Sequence, residues 1–523
     1  MTAKESVISG NTYLGIEFGS TRIKAVLIDD SFAPIATGEF DWQNFLENGY
    51  WTYHEDEFIK GLRSCYSCLA KDVMNKYGTE LTIVKSIGVS GMMHGYLAFD
   101  EDFNLLTPFR TWRNTTTGEA ASELSELFCF NVPLRWSISH LYQAILNKEE
   151  HIQNLSHITT LAGYIHYLLT GRFEVGVGEA SGIFPISGIQ YDSEMMSKAS
   201  DLFSKYGFKK NLIDVLPFVR NAGFKGAFLT EDGAALLDES GKLKPGIPLC
   251  PPEGDAGTGM VATNCIRPGT GSVSAGTSIF SMHVLERPLE GYYKEIGVVT
   301  TPDASPVAMV HCNNCCFELD EWIGMFGEFA KLIGADISKS DLYRHLYINS
   351  LEADPACSGV TAYNYLASEP VAGIDGGRPM YFKESGSTFN LANFFRAQLY
   401  SSIAVIRLGA EILLNKEKVV PTTILAHGGL FKVRGVAQQY VADAFNTPVA
   451  VMSTAGEGGP FGMAILASFM MNGNGISLAD YLDEFVFGKI EKSVLTPNPE
   501  GVAGFNCYIE RYKSGLAAQK TFI

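Results

Sequence analysis

The sequence predicts an α/β protein with two lobes, each built on a mixed sheet flanked by helices. One short pattern occurs twice: Gly15–Thr21 followed by the apolar run Ile23–Ile28, and Ser274–Ser278 followed by Ile279–Val284. Each copy indicates a strand, a small polar turn and a second strand, and a repeat half a chain apart indicates two similar lobes. The chain has 523 residues, too many for one ordinary domain, and 46% of them are hydrophobic, enough for a large core.

The first half of the chain predicts strands that are paired at first and are then joined through helices. This order is typical of a mixed sheet with helices on its faces. A less regular region of loops and short helices is expected at 171–246, before a Gly/Pro-rich segment at 246–259. The elements predicted before that region are strands at Tyr13–Phe18, Ile23–Ile28, Pro34–Phe40, Val84–Ser90 and Tyr96–Asp100, a helix at Glu55–Lys76 and a helical region at Gly118–Leu169.

The second half begins with the repeated turn, and we place the boundary so that the domains are residues 1–260 and 261–523. Apolar runs bounded by Gly and Pro predict the strands, and longer amphipathic runs predict the helices. The predicted strands are Ile296–Thr301, Ala308–His311, Thr423–Leu425 and Val449–Met452, and the predicted helices are Phe317–Ile333, Ser340–Asn349, Leu391–Leu414, Val433–Phe445 and Pro460–Met471.

The charge of the chain excludes several classes of partner. The formal net charge of −17 argues against general binding to nucleic acid or to an anionic membrane surface. Residues 1–10 lack the apolar core of a signal peptide, and Phe461–Met471 is shorter than the roughly 18 apolar residues of a membrane span. We therefore expect a soluble cytoplasmic protein.

The cysteines predict no disulfide framework. The densest group is Cys312, Cys315 and Cys316. We expect buried, reduced thiols there, and a metal site or a reaction with oxidants is the alternative.

The repeated turns are the strongest indication of function. Glycine lets backbone N–H groups approach a ligand, and Ser/Thr hydroxyls add donors, so two such turns on either side of a cleft predict a polyphosphate site between the lobes. The chain has no Gly-x-x-x-x-Gly-Lys-[Ser/Thr] segment, which excludes a P-loop, and it lacks the His-Arg-Asp loop of protein kinases.

Three further positions could carry chemistry. Asp255 lies among glycines at 254, 257 and 259, as either a turn residue or a group that approaches a ligand closely. Glu17 precedes the first turn, where a carboxylate could hold Mg²⁺ through water or simply cap a hairpin. Gly428 and Gly429 follow an apolar strand, which suits either an adenosine site or a plain tight turn.

Five segments in order resemble the FGGY family of carbohydrate kinases from about residue 13 to about residue 470. They are Tyr13–Ser20, Gly88–Gly95, Gly254–Gly257, Ser274–Ser278 and Ala426–Gly429. Met93-His94-Gly95 and the later Trp112 look most like the xylulokinase branch among the pentulose kinases. The family implies two actin-like (ribonuclease-H-like) lobes with an ATP cleft between them, a sugar-binding N-terminal domain and a nucleotide-binding C-terminal domain. It also implies ATP and Mg²⁺, γ-phosphoryl transfer to a sugar hydroxyl, and a homodimer as a fitting assembly.

The resemblance assigns roles to individual residues. Asp255 matches the general base and also contacts the sugar. Glu17 matches the position of the carboxylate that holds the metal ion. The first phosphate turn matches Gly19, Ser20 and Thr21, the second matches Gly276, Thr277 and Ser278, the adenosine motif matches Gly428 and Gly429, and the sugar pocket matches Met93, His94, Trp112 and Asn114.

Three departures from the family pattern concern the metal and the sugar. Glu17 stands where the family usually has Asp, Asn114 where it has the Asp of Trp-Asn-Asp, and Ala256 where Asn or Gln usually follows the base. Xylulose is therefore the leading substrate, with L-ribulose or another ketopentose as the alternative. A regulator that binds sugar or nucleotide without turnover is the alternative of another class, and a chaperone-like ATPase is disfavoured because no peptide-binding domain is expected after residue 470.

Overall fold

The computed structural model describes residues 1–452 and 458–521, which form two compact units. Unit 1 comprises Met1–Ile266, Val298–Val307 and Glu457–Lys489, and unit 2 comprises Arg267–Gly297, Ala308–Gly456 and Ile490–Ile523. The sequence analysis placed one boundary at residue 260, whereas the chain returns twice to unit 1 after leaving it. A prediction made along the chain joins neighbours in sequence and cannot detect such returns.

Unit 1 contains a mixed sheet, as predicted. The strand Thr12–Phe18 pairs antiparallel with Arg22–Asp29 and parallel with Ser86–Gly91. The short strand Glu253–Gly254 also pairs with Ser86–Gly91, in parallel. The strand order across the sheet is Ala227–Phe228, Pro248–Leu249, Ser86–Gly91, Thr12–Phe18, Arg22–Asp29 and Pro34–Asp41.

Glycines allow two helices to lie close to this sheet. A Cβ atom on Gly38 would overlap the Cys65 carbonyl oxygen of the helix Glu55–Tyr77. A Cβ atom on Gly15 would lie 2.6 Å from the Ala464 nitrogen of the helix Gly458–Asn472. The latter helix was predicted at nearly these residues but assigned to the C-terminal domain, and the structure places it in unit 1.

The rest of unit 1 is largely helical and has its own core around Trp136 and Tyr142. Residues 171–246, predicted as loops with short helices, contain the 13-residue helix Ser193–Lys205. The side chain of Asp192 caps the N-terminus of this helix. The remaining helices of unit 1 are Ala3–Ser9, Gly118–Phe128, Ser137–Leu146, Leu161–Thr170, Val177–Ala180, Leu212–Val215, Glu231–Leu237, Asp255–Ala262 and Leu478–Tyr481. Its short strand pairs are Phe45–Glu47 with Tyr50–Thr52, Leu97–Phe99 with His157–Thr159, Glu174–Gly176 with Phe218–Arg220, and Ile186–Ser187 with Gln190–Tyr191.

Unit 2 contains the second mixed sheet. Thr270–Ala275 pairs antiparallel with Ile279–Val284 and parallel with Thr423–Gly428, which repeats the arrangement at the N-terminus. The strand order is Gly297–Thr300, Pro306–Cys312, Ile279–Val284, Thr270–Ala275, Thr423–Gly428, Val449–Met452 and Lys492–Leu495. The chain passes from one unit to the other within the strands Gly297–Thr300 and Pro306–Cys312. The predicted α/β class with two mixed sheets is confirmed.

The helices of unit 2 surround a core helix, Leu391–Glu411. With its continuation to Lys416 this helix is long and apolar enough to cross a membrane, but 72% of its apolar window is buried within the protein. The sequence analysis missed the 22-residue helix Pro499–Lys520, whose Phe505, Tyr508 and Tyr512 belong to the same core. The other helices are Phe317–Leu332, Lys339–Asn349 and Val436–Phe445, and Val360–Tyr363 pairs with Met380–Lys383.

Candidate active site

The carbonyl groups of the first turn, Gly19–Thr21, are all held by unit 1. The Trp42 indole N–H donates to the Gly19 carbonyl at 2.7 Å, and the Tyr53 hydroxyl donates to the Ser20 carbonyl at 2.6 Å. The Trp42 backbone N–H donates to the Thr21 carbonyl at 3.2 Å. In a trans peptide the N–H points away from the C=O, so these bonds direct the N–H groups of Ser20 and Thr21 outward. No hydrogen bond in the described part of the chain uses those two N–H groups, which leaves them available to phosphate oxygens.

The carboxylate of Glu17 lacks a partner for one of its oxygens. Its Oε2 is buried, accepts no hydrogen bond within the described residues, and would be overlapped by a Cβ atom on Gly459. The pKa of Glu17 is raised to about 7, mainly by burial and also by the charge of Asp255, while the charge of Lys24 lowers it. A divalent cation would give this buried oxygen a positively charged partner. The Glu17 carboxylate therefore fits the Mg²⁺ that the resemblance implies. In the described ranges, no group of three or more His, Cys, Asp or Glu residues is arranged to hold a metal ion alone.

Asp255 begins the helix Asp255–Ala262, directly after the strand Glu253–Gly254. Its side chain is accessible to solvent, and its Oδ1 accepts the Met93 backbone N–H at 3.1 Å. The pKa of Asp255 is raised, because partial burial by the surrounding protein disfavours its charged form. The backbone amides of Met93 and Ala256 and the charge of Arg135 oppose this rise. An accessible carboxylate whose pKa is moved toward neutrality suits the acceptance of a proton from a hydroxyl.

His94 lies in the same loop as Met93 and is held as a neutral imidazole. Its backbone has a φ of 72°, and its side chain is buried. Nδ1 lies 3.3 Å from the Gly182 carbonyl, which can only accept, so Nδ1 carries the proton and Nε2 is an acceptor. Burial and the charge of Arg135 hold the pKa of His94 well below its usual range.

The two remaining predicted sugar residues have different surroundings. Trp112 is 40% exposed, as a ligand-facing ring would be. Asn114 is buried, accepts the Trp51 N–H at 2.8 Å, and donates to the carbonyls of Trp51 at 2.8 Å and Thr111 at 3.0 Å. Its amide thus ties two loops together, and its contact with a sugar stays a prediction.

Two buried acids behind Asp255 were missed by the sequence analysis. Glu253 accepts the N–H groups of Gly178 and Glu179, and burial raises the pKa of Glu253 to about 8. Burial also raises the pKa of Glu179 well above its ordinary value, and the charges of Glu253 and Asp255 add to this. Burial therefore disfavours the charged form of both carboxyl groups beside Asp255.

The second turn, Gly276–Ser278, is built like the first with different partners. The Cys316 N–H donates to the Gly276 carbonyl at 3.2 Å, and the Cys315 N–H donates to the Thr277 carbonyl at 3.0 Å. No hydrogen bond among the described residues uses the N–H groups of Thr277 or Ser278. The peptide geometry again leaves consecutive N–H groups available for a ligand.

Gly428 is required by its position beside the second turn. Gly428 pairs with Ala275 across parallel strands, has a φ of 103°, and a Cβ atom on it would overlap the Ala275 carbonyl oxygen. Only glycine tolerates both the conformation and the approach. Gly428 and Gly429 are exposed next to the second turn, and their contact with adenosine stays a prediction.

A cavity of about 880 Å³ in unit 2 brings these predicted residues together. Gly276, Thr277 and Gly429 line it. Sequence analysis missed its charged and aromatic lining, namely the basic Lys339, Arg344, Lys432 and Arg434, the acidic Asp320, and the rings of Phe317, Tyr343 and Tyr347. Four cations against one carboxylate in a chain of net charge −17 fit a polyanion, and the rings fit a planar base.

The cysteine group at 312–316 consists of thiols. All ten cysteines of the chain are free, and Cys312 and Cys315 are buried. The Sγ atoms of Cys315 and Cys316 lie 3.5 Å apart. Burial raises the pKa of Cys312 well above its ordinary value, which keeps this thiol protonated and weakly reactive.

Comparison with known proteins agrees with these features. Residues 12–237 match the N-terminal domain of the FGGY family of carbohydrate kinases, and residues 271–471 match its C-terminal domain. The chain is 23% identical to the xylulose kinase of Haemophilus influenzae over 519 residues, covering 97% of this chain and 99% of that protein. Two solved structures from Lactobacillus acidophilus, a ligand-bound xylulose kinase and a gluconate kinase, each superpose with a TM-score of 0.78 at 18% identity. Each covers 98% of this chain, with 100% and 99% of the respective neighbour. The two-lobe actin-like fold that the resemblance implied is thereby confirmed.

Proposed function

Since this chain belongs to the FGGY family of carbohydrate kinases, phosphotransferases with an alcohol group as acceptor, we propose that it transfers the γ-phosphoryl group of ATP to a hydroxyl of a ketopentose such as xylulose. The observation that carries this proposal is the accessible Asp255 carboxylate, held by the Met93 N–H in the loop that also presents His94. The choice of xylulose follows the names of the relative from Haemophilus influenzae and of one structural neighbour.

Asp255 acts as the general base. The attacking hydroxyl gives its proton to the carboxylate while its oxygen bonds to the γ-phosphorus, and the bond from phosphorus to the β–γ bridging oxygen breaks to release ADP. The Met93 N–H fixes the carboxylate, and the raised pKa of Asp255 makes it a better proton acceptor than a free aspartate. Phosphoryl transfer needs positioning and charge neutralisation more than covalent help, so one base is sufficient.

The nucleotide is held by backbone groups. The outward N–H groups of the first turn and the second turn bind phosphate oxygens, and the cavity beside Gly428 and Gly429 takes the adenosine. Lys432 and Arg434 on the cavity wall offset the phosphate charge. Glu17 would hold Mg²⁺, which when bound neutralises phosphate charge.

Met93, His94, Trp112 and Asn114 belong to the sugar side of the proposal. Neutral His94 presents Nε2 as an acceptor for a sugar hydroxyl, and the exposed Trp112 ring offers an apolar face. We also propose that the protein works in the cytoplasm and that a homodimer is its assembly.

The test is ADP release by the purified protein with Mg-ATP against ketopentoses, aldoses, glycerol, gluconate and no sugar. Stimulation by one ketopentose supports the proposal and names the substrate. Stimulation only by another acceptor contradicts the ketopentose assignment. Nucleotide binding without turnover on any acceptor favours the regulator.

A further inference from the structure

Cys315 and Cys316 form a pair of thiols that the proposed reaction does not use. Their Sγ atoms lie in contact, 3.5 Å apart. Cys315 is buried, whereas Cys316 is partly exposed and lines the cavity of about 880 Å³ in unit 2. A small oxidant that enters this cavity can therefore reach the Cys316 sulfur, and a second sulfur lies next to it.

The peptide group that joins the two cysteines is held at both of its polar atoms. Its N–H belongs to Cys316 and donates to the Gly276 carbonyl of the second turn at 3.2 Å. Its C=O belongs to Cys315 and accepts from the Asn364 side-chain amide and from the Ser402 hydroxyl, each at 3.0 Å. This peptide group is therefore a fixed support behind the second turn.

The support sets the direction of a proposed phosphate donor. The Gly276 C=O and the Thr277 N–H belong to one planar trans peptide, in which they point in opposite directions. While the Cys316 N–H holds that C=O, the Thr277 N–H points away from the protein behind the turn. A rotation of the peptide between the cysteines would remove this hold, and the Thr277 N–H could then turn away from a phosphate oxygen.

A disulfide between adjacent cysteines would force such a rotation. The peptide between Cys315 and Cys316 is trans. Consecutive Cα atoms are about 3.8 Å apart across a trans peptide, whereas disulfides usually join Cα atoms roughly 4.4–6.8 Å apart. The two side chains can then meet only if the peptide between them twists. Strain of this kind also makes a disulfide easier to reduce again.

The oxidation balances with two thiols and one molecule of hydrogen peroxide. The Cys316 sulfur attacks one peroxide oxygen, the O–O bond breaks, and a sulfenic acid and water form. The Cys315 sulfur then attacks the Cys316 sulfur, the S–O bond breaks, and the hydroxide leaves with the Cys315 proton as a second water. Contact with the Cys316 sulfur and burial raise the pKa of Cys315 well above its ordinary value, so Cys315 stays protonated until Cys316 has reacted.

We propose that Cys315 and Cys316 form a reversible redox site, at which hydrogen peroxide closes a disulfide between them, displaces the second turn and weakens nucleotide binding. This inference rests on the proposed function, because it takes the second turn to bind phosphate. The coupling is reciprocal, so a bound nucleotide should in turn oppose the oxidation.

The experiment measures the binding of Mg-ADP by calorimetry before and after treatment with hydrogen peroxide. Wild type is expected to bind ~10- to 100-fold more weakly after treatment, since a hydrogen bond to a charged phosphate oxygen is lost. Dithiothreitol should restore the affinity, because a disulfide is reducible and a sulfinic acid is not. Peptide mass mapping should find the disulfide between Cys315 and Cys316, and saturating Mg-ADP should slow its formation.

Each variant is compared with its own untreated form. Cys316→Ser and Cys315→Ser keep the backbone N–H groups and remove one sulfur each, so peroxide should leave their affinity unchanged. Cys316 is partly exposed, so its variant carries the test even if the buried Cys315→Ser fails to fold. The matched control is Cys507→Ser, because Cys507 is an exposed cysteine on the helix Pro499–Lys520 of unit 2. This control should lose affinity on oxidation as wild type does.

Three results would overturn the inference. They are a peroxide effect that persists in Cys316→Ser, a disulfide that involves Cys312 instead, and a disulfide between Cys315 and Cys316 with unchanged affinity. The reduced protein distinguishes this failure from that of the proposed function. Nucleotide binding that peroxide does not change contradicts only the inference, whereas the absence of nucleotide binding by reduced wild type contradicts both.

Discussion

Tyr53→Phe tests whether the held carbonyls of the first turn serve phosphate binding. The Tyr53 side chain is 2% exposed, and its hydroxyl donates to the Ser20 carbonyl at 2.6 Å. Deleting the hydroxyl leaves that carbonyl without its donor, which costs about 1–2 kcal/mol in the free energy of unfolding. The freed peptide group can then rotate, so the Thr21 N–H is no longer directed outward. A loss of about 1 kcal/mol in transition-state binding corresponds to ~5-fold in kcat/KM for Mg-ATP.

Tyr363→Phe is the matched control. Tyr363 is 1% exposed, and its hydroxyl donates at 2.6 Å to the Tyr512 carbonyl in the core of unit 2. Urea unfolding should show a similar loss of stability in both variants, and steady-state kinetics with varied Mg-ATP should change only in Tyr53→Phe. Equal kinetics in the two variants would refute the reasoning, because the hydroxyl of Tyr53 would then serve only stability.

Three further predictions follow from other positions. Asp255→Asn should lower kcat by ~10²- to 10⁴-fold and leave nucleotide affinity measured by calorimetry nearly unchanged, and wild-type turnover would contradict the base assignment. Gly428→Ala should abolish nucleotide binding and destabilise the protein by about 1–3 kcal/mol or more, whereas Gly435→Ala, with a φ of 83° and open space around it, should keep binding in the same assay. Burial raises the pKa of Glu253 from 4.5 to about 8, so wild type loses roughly 3–5 kcal/mol of stability as pH rises through that range. Glu253→Gln should therefore be more stable than wild type at pH 9 and less stable at pH 5 by thermal unfolding, and parallel pH profiles would contradict this.

Local sequence patterns predicted most elements but not how they assemble into units. The hairpin Thr12–Asp29 and the helix Glu55–Tyr77 follow from alternation and helical periodicity, which act over a few residues. The assignment of the helix Gly458–Asn472 to unit 1 depends on close contact with Gly15, more than 400 residues earlier. A glycine in a strand indicates only weakly that another segment packs closely against it, and it does not show which segment that is.

The candidate site shows the same limit. Glycines marked both turns and Asp255, because close approach to a ligand or a tight turn leaves a visible residue type. The Met93 N–H that fixes Asp255 leaves none, since any residue supplies a backbone amide.

The two turns share a backbone arrangement although different groups hold them in place. Their sequences are alike, but an indole and a phenol hold the first turn, whereas the backbone amides of Cys315 and Cys316 hold the second. What the two have in common is the direction of consecutive peptide groups, with C=O toward the protein and N–H outward. Because a planar trans peptide fixes the N–H once the C=O is held, any donor behind the turn can fulfil this role. The residues behind each turn can therefore diverge while the turn itself stays recognisable, which explains why the repeat was visible in the sequence and its supports were not.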